Sequence, residues 1–172
     1  MLTDNINLPE KSDHLFITGP IEKATHIFFG GIVATNPAGN MVPAEDTAGL
    51  IVRGVAEQEV DNTNGEAGDK TVVAKRAPRW VPNSAIHPLG PDDVGKVCFI
   101  EDDNTVARTS GSKIVAGITL ELSADGSVVC VDFFLAAAGA AAAPESETSE
   151  GSSEESSHPP ASSEASSSSA AE

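Results

Sequence analysis

The sequence predicts an all-β domain, and three observations lead to that prediction. Short segments rich in Val, Ile and Phe recur along the chain, and clusters of Gly, Pro, Asn and Asp separate them at intervals of about ten residues. No segment of useful length has the apolar repeat of an amphipathic helix. Two stretches also echo each other in residue type and spacing. We therefore expect a compact small β-barrel or sandwich, with the hypothesis of an internal pseudo-duplication, followed by a disordered C-terminal tail.

The first part of the domain is predicted to contain six strands, each ended by turn residues. Their ranges are 14–18, 25–35, 41–43, 50–58, 71–75 and 79–81. The pair Gly19 and Pro20 is expected to stop the first strand, and the double glycine at Gly30 and Gly31 predicts a bulge or sharp bend in the second. The segment 60–70 has the composition of a long turn.

The last part of the domain is predicted to contain four more strands. Their ranges are 96–101, 105–108, 113–121 and 127–135. A single helical turn is expected at Pro91, because Pro and the Asp residues that follow it both suit a helix start. Asp125 and Gly126 form a hairpin-type turn before the last strand.

The echo is a repeat of three short segments in the same order. The segments of the first copy are 31–33, 40–42 and 50–55, and those of the second copy are 95–97, 104–106 and 114–118. Gly31 precedes Val42 by eleven residues, and Gly95 precedes Val106 by the same number. Each copy fits three strands with turns between them, so the sequence suggests that one small β-unit is encoded twice.

Composition divides the chain into an arm, a domain and a tail. Residues 1–13 are polar and irregular, and we expect a flexible N-terminal arm. Residues 14–135 contain the apolar segments and fit one domain. Residues 136–172 contain only Ala, Gly, Pro, Ser, Glu, Thr and one His. Such a segment cannot bury enough apolar surface to offset its ordering entropy, so a disordered acidic tail is expected.

The charge of the chain excludes some classes of partner. The net charge is −16, and residues 1–135 carry 19 acidic and 10 basic residues. Phosphate contacts need Lys and Arg, so we expect no nucleic-acid partner, and the same charge disfavours anionic membranes. The start of the chain does not resemble a secretory signal, and no apolar run has the length of a membrane span.

Catalytic and metal-binding motifs are missing from the sequence. The four histidines lack the spacing of a metal site, and neither a nucleophile elbow nor a phosphate-binding loop occurs. Cys98 and Cys130 lie in apolar strand patterns and are expected to be buried free thiols. The acidic run 101–104 suits a tight hairpin, with a calcium site as the alternative. We therefore expect a protein that is not an enzyme and has no cofactor.

Candidate contact residues lie in two places. Arg76, Arg79 and Trp80 form a basic and aromatic patch, in which Trp80 is either a core residue or an interface anchor. Asp61 and Asn62 begin the long loop, where such side chains commonly cap backbone amides. These five residues are our candidates for partner binding, together with the N-terminal arm.

Two longer segments carry a resemblance to a known family. They are 54–76, with Val60-Asp-Asn in its middle, and 93–117, which begins Asp93-Val-Gly-Lys and continues through Asp102-Asp-Asn-Thr-Val. With residues 24–132 as a whole, they resemble small structural proteins of tailed bacteriophages and prophages, of the capsid cement or decoration type. The acidic Ser-rich tail and the prolines of 83–91 depart from that pattern.

The resemblance implies a β-rich domain on the exterior of an icosahedral capsid, made in the cytoplasm of the bacterial host. It implies that the chain binds the major capsid protein, often as a homotrimer, and stabilises the shell by bridging neighbouring subunits. Two other hypotheses stay open. One is a different virion structural protein, of the tail or a head fibre, and the other is a non-catalytic carbohydrate-binding β-module.

Overall fold

The computed structural model describes residues 15–135, which form twelve β-strands and two short 3₁₀ helices. The strands are β1 Phe16–Pro20, β2 Thr25–Ile27, β3 Ile32–Thr35, β4 Met41–Pro43, β5 Ile51–Ala56, β6 Val60–Asn62, β7 Thr71–Lys75, β8 Pro78–Pro82, β9 Val97–Ile100, β10 Val106–Ala107, β11 Val115–Leu122 and β12 Val128–Asp132. The 3₁₀ helices are Pro91–Asp93 and Phe133–Leu135. The all-β prediction is confirmed. The expected arm 1–13 and tail 136–172 lie outside the described residues.

The strands form two five-stranded sheets and a two-stranded ribbon, in which all neighbouring strands are antiparallel. The first sheet has the order β1-β7-β5-β3-β4, and the second has the order β10-β9-β11-β12-β8. The ribbon pairs β2 with β6. None of the sheets closes into a barrel. The sequence allows a barrel or a sandwich. The molecule has open sheets in a compact arrangement and not a closed barrel.

The two sheets repeat one unit. If the ribbon is left aside, the first half contributes β1, β3, β4, β5 and β7, and the second half contributes β8 to β12 in sequence. We number the five strands of each half from first to fifth along the chain. Across either sheet, the strands then lie in the order third, second, fourth, fifth and first. The segments that echo in the sequence are β3, β4 and β5 in one sheet and β9, β10 and β11 in the other. The pseudo-duplication is thus present in the strand order.

Local details repeat as well. The register of β5 against β3 shifts beside Gly54, and that of β11 against β9 shifts beside Gly117. A Cβ atom at Gly54 would lie 2.4 Å from the Lys75 carbonyl oxygen, and one at Gly117 would lie 2.3 Å from the carbonyl oxygen of Asp132. Each glycine therefore lets its strand approach the backbone of the neighbouring strand.

The end of the first strand also repeats between the halves. Ile21, directly after β1, forms an isolated parallel bridge with Met41 of β4. Asn83, directly after β8, forms the same kind of bridge with Val106 of β10. These bridges link the two edges of each sheet at one end, so both sheets curl in the same way without closing.

The main core lies between the two sheets. Its buried side chains come from both halves of the chain: Ile32, Ala34, Ala44, Leu50, Val52, Val55, Val81, Leu89, Cys98, Ile100, Val106, Ile114, Ala116, Val129, Val131 and Phe133. A second cluster lies on the other side of the first sheet and includes Ile27 of β2, with Val60 of β6 packed against it. The ribbon thus covers the first sheet, and all four residues of β3 are buried.

Within residues 15–135, the prolines that lie in strands are all in edge strands of the two five-stranded sheets. Among the described strands, β1 contains Pro20, β4 contains Pro43, and β8 begins with Pro78 and ends with Pro82. The fourth edge strand, β10, is only two residues long. Proline has no N–H group to donate to a neighbouring strand, so edges are where a sheet tolerates it.

Several predicted boundaries are wrong, each for a local reason. The first strand continues through Gly19 and Pro20, because an edge strand can accommodate both. The predicted strand 25–35 is divided in two by a turn, in which Gly30 has a φ of +83°. Part of the expected long turn forms β6, and the end of the last predicted strand is a 3₁₀ helix. Strands 41–43 and 71–75 and the helical turn at Pro91 are confirmed.

Candidate interaction surface

Large apolar side chains are exposed at several places on the domain. Within residues 15–135 they are Phe28, Phe29, Ile51, Trp80, Ile86, Val94, Val97, Leu120 and Phe134. The most notable are the aromatic ones, since Phe29 is 72% exposed, Phe28 57% and Trp80 52%. Exposed aromatic residues are enriched at protein interfaces and in ligand platforms. Trp80 is therefore not the core residue that one reading of the sequence allowed.

Phe28 and Phe29 protrude because of the turn between β2 and β3. The positive φ of Gly30 reverses the chain directly after them, so neither side chain continues the strand pattern. The Phe28 ring packs on the ring of His26, with 4.2 Å between the ring centres. His26 Nε2 in turn lies 2.9 Å from Glu59 Oε1. The aromatic turn is thus supported from the ribbon side.

A shallow groove of about 290 Å³ joins Phe29 to Trp80. Its walls also include Glu57 and Arg79, which form an ion pair with an Nη2–Oε1 distance of 2.5 Å. The pair links the end of β5 to the edge strand β8 and so connects the two sheets at the groove. Both side chains are partly exposed, so the ion pair contributes little to the stability of the domain. Its main effect is to orient the walls of the groove.

Arg76 lies apart from this groove. Its guanidinium stands over the Phe134 ring, 5.8 Å from the ring centre, and its backbone N–H donates to the Leu15 carbonyl. The side chain is half-buried, and its Nε atom is buried without a hydrogen-bond partner. The structure therefore separates the predicted basic patch: Arg79 and Trp80 line the groove, and Arg76 packs near the start of β1.

Asp61 and Asn62 have structural roles in β6. Asn62 is 1% exposed, and its Nδ2 group donates to the carbonyl oxygens of Glu22 and Glu66. Asp61 is exposed, and the hydroxyl and backbone N–H of Thr63 donate to its carboxylate, which lowers its pKa. The side chain of Asn62 is therefore not part of the surface, whereas that of Asp61 is.

The acidic run forms a hairpin turn between β9 and β10. The Asn104 N–H donates to Asp102 Oδ1, and the Asp103 carbonyl oxygen accepts the N–H of Ile32 at 2.6 Å. The turn thus also docks the second half on the first. Burial, with the nearby Asp102 charge, raises the pKa of Asp103. Between residues 15 and 135, no group of three or more His, Cys, Asp and Glu side chains is arranged to hold a metal ion.

The two cysteines differ. Cys98 is buried in the main core, and burial raises the pKa of its thiol to about 11. Cys130 is only half-buried, and burial followed by the charges of Glu121 and Asp132 raises its pKa. The prediction of two buried thiols is therefore correct for Cys98 alone. No helix in the described part of the chain is long and apolar enough to cross a bilayer.

Sequence reasoning missed Phe28, Phe29 and Glu57 as surface residues. Two adjacent aromatic residues cannot both face the core of a strand, since side chains alternate between faces. The double glycine after them is a further sign of a turn at this place. Glu57 has no comparable signal, because its position beside Arg79 depends on how the two sheets pack.

Comparison of the chain with models of known families, with curated proteins and with solved structures gives no match.

Proposed function

We propose that this chain is a structural protein of a phage virion that binds the outside of the capsid and stabilises the shell by bridging major capsid protein subunits. The observation that carries the proposal is the exposed aromatic groove between Phe29 and Trp80, on a domain made of packed sheets. The resemblance of residues 24–132 to capsid decoration proteins supports the same function.

The proposed mechanism is stabilisation of the shell by binding alone, with no chemical reaction. Burial of an exposed Trp or Phe contributes about 1.5–3 kcal/mol when it is complete. Such side chains are typical anchors, and the Arg79–Glu57 pair beside them supplies polar contacts at the rim. A homotrimer would present the groove three times, and copies bound across a symmetric shell would reinforce one another.

The test uses shells assembled without this protein. We expect the purified chain to co-sediment with them and to raise their melting temperature in calorimetry. Trp80→Ala and Phe29→Ala should each weaken binding roughly tenfold or more, because each removes an anchor. Ile86→Ala is the matched control, since Ile86 is 75% exposed and lines a different groove. Shells that neither bind the chain nor gain heat stability would refute the proposal.

The position of the protein in the particle is tested separately. Cryo-electron microscopy should place density for residues 15–135 on the capsid exterior, at the joints between subunits. Density on the tail or on a head fibre would instead favour the alternative virion protein.

A second candidate function is carbohydrate binding. Exposed aromatic rings such as Trp80 and Phe28 suit sugar recognition, because the faces of sugar rings stack on them. A glycan array with the full chain tests this function. Binding of a defined glycan that Trp80→Ala abolishes, together with no binding to shells, would make this the better assignment.

A further inference from the structure

The second sheet has one face that the described chain leaves uncovered. Alternate residues of β9 and β12 are buried in the main core, as is Val81 of β8, and the other residues of these strands are exposed or half-buried. Strand register places these residues side by side. We call the outer face the surface formed by Trp80, Val97, Ile118, Glu121, Cys130 and Asp132.

The equivalent face of the first sheet is covered, and the repeat of the two halves identifies which residues correspond. The bulge glycines Gly54 and Gly117 align the sheets, so the cross-strand pair Ile32 and Val55 of the first sheet corresponds to Val97 and Ile118 of the second. Ile32 and Val55 are buried in the main core. Val97 is 38% exposed and Ile118 half-buried.

Two carboxylates lie within this apolar surface. Cys130 is directly opposite Glu121 on one side and Trp80 on the other, and Asp132 is directly opposite Ile118. Directly opposite residues have Cβ atoms about 4.5–5.5 Å apart. Burial, followed by the charges of these two carboxylates, raises the pKa of Cys130, in accord with that closeness. Within residues 15–135 neither carboxylate has an ion-pair partner.

These contacts define the chemistry of the occupant. A second copy of the chain would bring two more carboxylates to the same place, on a molecule of net charge −16. An uncharged apolar partner would bury carboxylates without compensation, which is costly. A guanidinium can pair with a carboxylate through two hydrogen bonds and stack on an indole ring at the same time.

We propose that the outer face binds a segment of another protein in which an arginine lies between apolar residues. The guanidinium stacks on Trp80 and pairs with Glu121 or Asp132, and the apolar neighbours pack on Val97 and Ile118. This inference adds the chemistry of the partner to the proposed function. It rests on that function only if the partner is a capsid subunit.

The first test uses peptides and needs no capsid. Three immobilised peptides differ only at their centre, which is Leu-Arg-Val, Leu-Lys-Val or Leu-Glu-Val, and the full chain is passed over them. We expect the arginine peptide to bind best, and the double variant Glu121→Gln/Asp132→Asn to lose about fivefold in affinity. Glu45→Gln, which removes an exposed carboxylate elsewhere, should bind as the wild type does. Equal binding of the three peptides, an unaffected double variant, or no binding at roughly 1 mM would overturn the inference.

The second test uses the shells of the proposed function. The double variant should bind shells less tightly than Glu45→Gln, and its affinity should depend less on salt. If it binds shells as the wild type does, the inference falls while the proposed function stands. If the wild type binds the arginine peptide but no shells, the proposed function falls while the inference stands. Sedimentation of a dimer that Trp80→Ala dissociates would identify a second copy as the occupant and overturn the inference.

Discussion

Alanine at the two bulge glycines should destabilise the domain strongly, and by different amounts. At Gly117 the new Cβ atom would lie 2.3 Å from a backbone oxygen, and an overlap with backbone of this size costs about 2–3 kcal/mol. At Gly54 the approach is 2.4 Å, and a φ of +129° adds strain of about 1–2 kcal/mol. Gly54→Ala should therefore cost about 3–5 kcal/mol, a large part of the stability of an ordinary domain.

The assay is unfolding of the full chain by urea and, separately, by heat, each followed by far-ultraviolet circular dichroism. Gly39→Ala is the matched control, because Gly39 has a φ of +89° with no atom within 4 Å of the new Cβ, and should cost about 1 kcal/mol. At about 4 °C per kcal/mol, the melting temperature should fall by roughly 12–20 °C for Gly54→Ala and by about 4 °C for the control. If Gly54→Ala or Gly117→Ala costs no more than the control, the close approach of the strands at these glycines is wrong.

Three further predictions follow from the contacts described above. Asn62→Ala should cost about 2–4 kcal/mol in the same assay, because it leaves two backbone carbonyl groups without their donor, and a loss below 1 kcal/mol would contradict that role. A colorimetric thiol reagent at pH 8 should modify half-buried Cys130 in the folded protein and Cys98 only on unfolding, since Cys98 is buried and burial raises its pKa to about 11, and two equally fast thiols would contradict that burial. Hydrogen bonds from Ser123 and Ser127 lower the pKa of Asp125 to about 2, so its contribution to stability is complete above pH 4 and is lost as the pH falls towards 2. The melting-temperature difference between wild type and Asp125→Ala should shrink over that range, and a constant difference would refute it.

The fold class could be predicted because its signals are local. Short apolar segments and the turn residues between them can be read from consecutive positions, as for strands β4 and β7. The repeat was visible for a related reason. Gly54 and Gly117 each permit a close approach of two strands, so both copies keep glycine at the same place in the unit.

The features that the sequence did not indicate depend mainly on contacts between segments that are distant in the chain. Strand β6 is three residues long and polar, and it exists because it pairs with β2. Asn62 is of a residue type common in turns, yet it is buried, because the carbonyl group of Glu22 from a distant segment and that of Glu66 from the following turn both accept from it. Arg79 was selected from the sequence as a candidate contact residue and lines the groove, whereas its partner Glu57 could be found only once the packing of the two sheets was known.

The prolines of the edge strands bear on how the chain behaves at high concentration. A sheet with an apolar face that residues 15–135 leave uncovered is at risk of growing into fibrils, which extend by backbone pairing at exposed strand edges. In the two five-stranded sheets, Pro20, Pro43, Pro78 and Pro82 lie in three of the four edge strands, and the fourth, β10, is only two residues long. The outer face, which binds through side chains, is thereby separate from the strand edges, which could pair through the backbone. Side chains on the outer face would recognise the proposed partner, while the edges of the two five-stranded sheets offer little backbone for pairing with other copies of the chain.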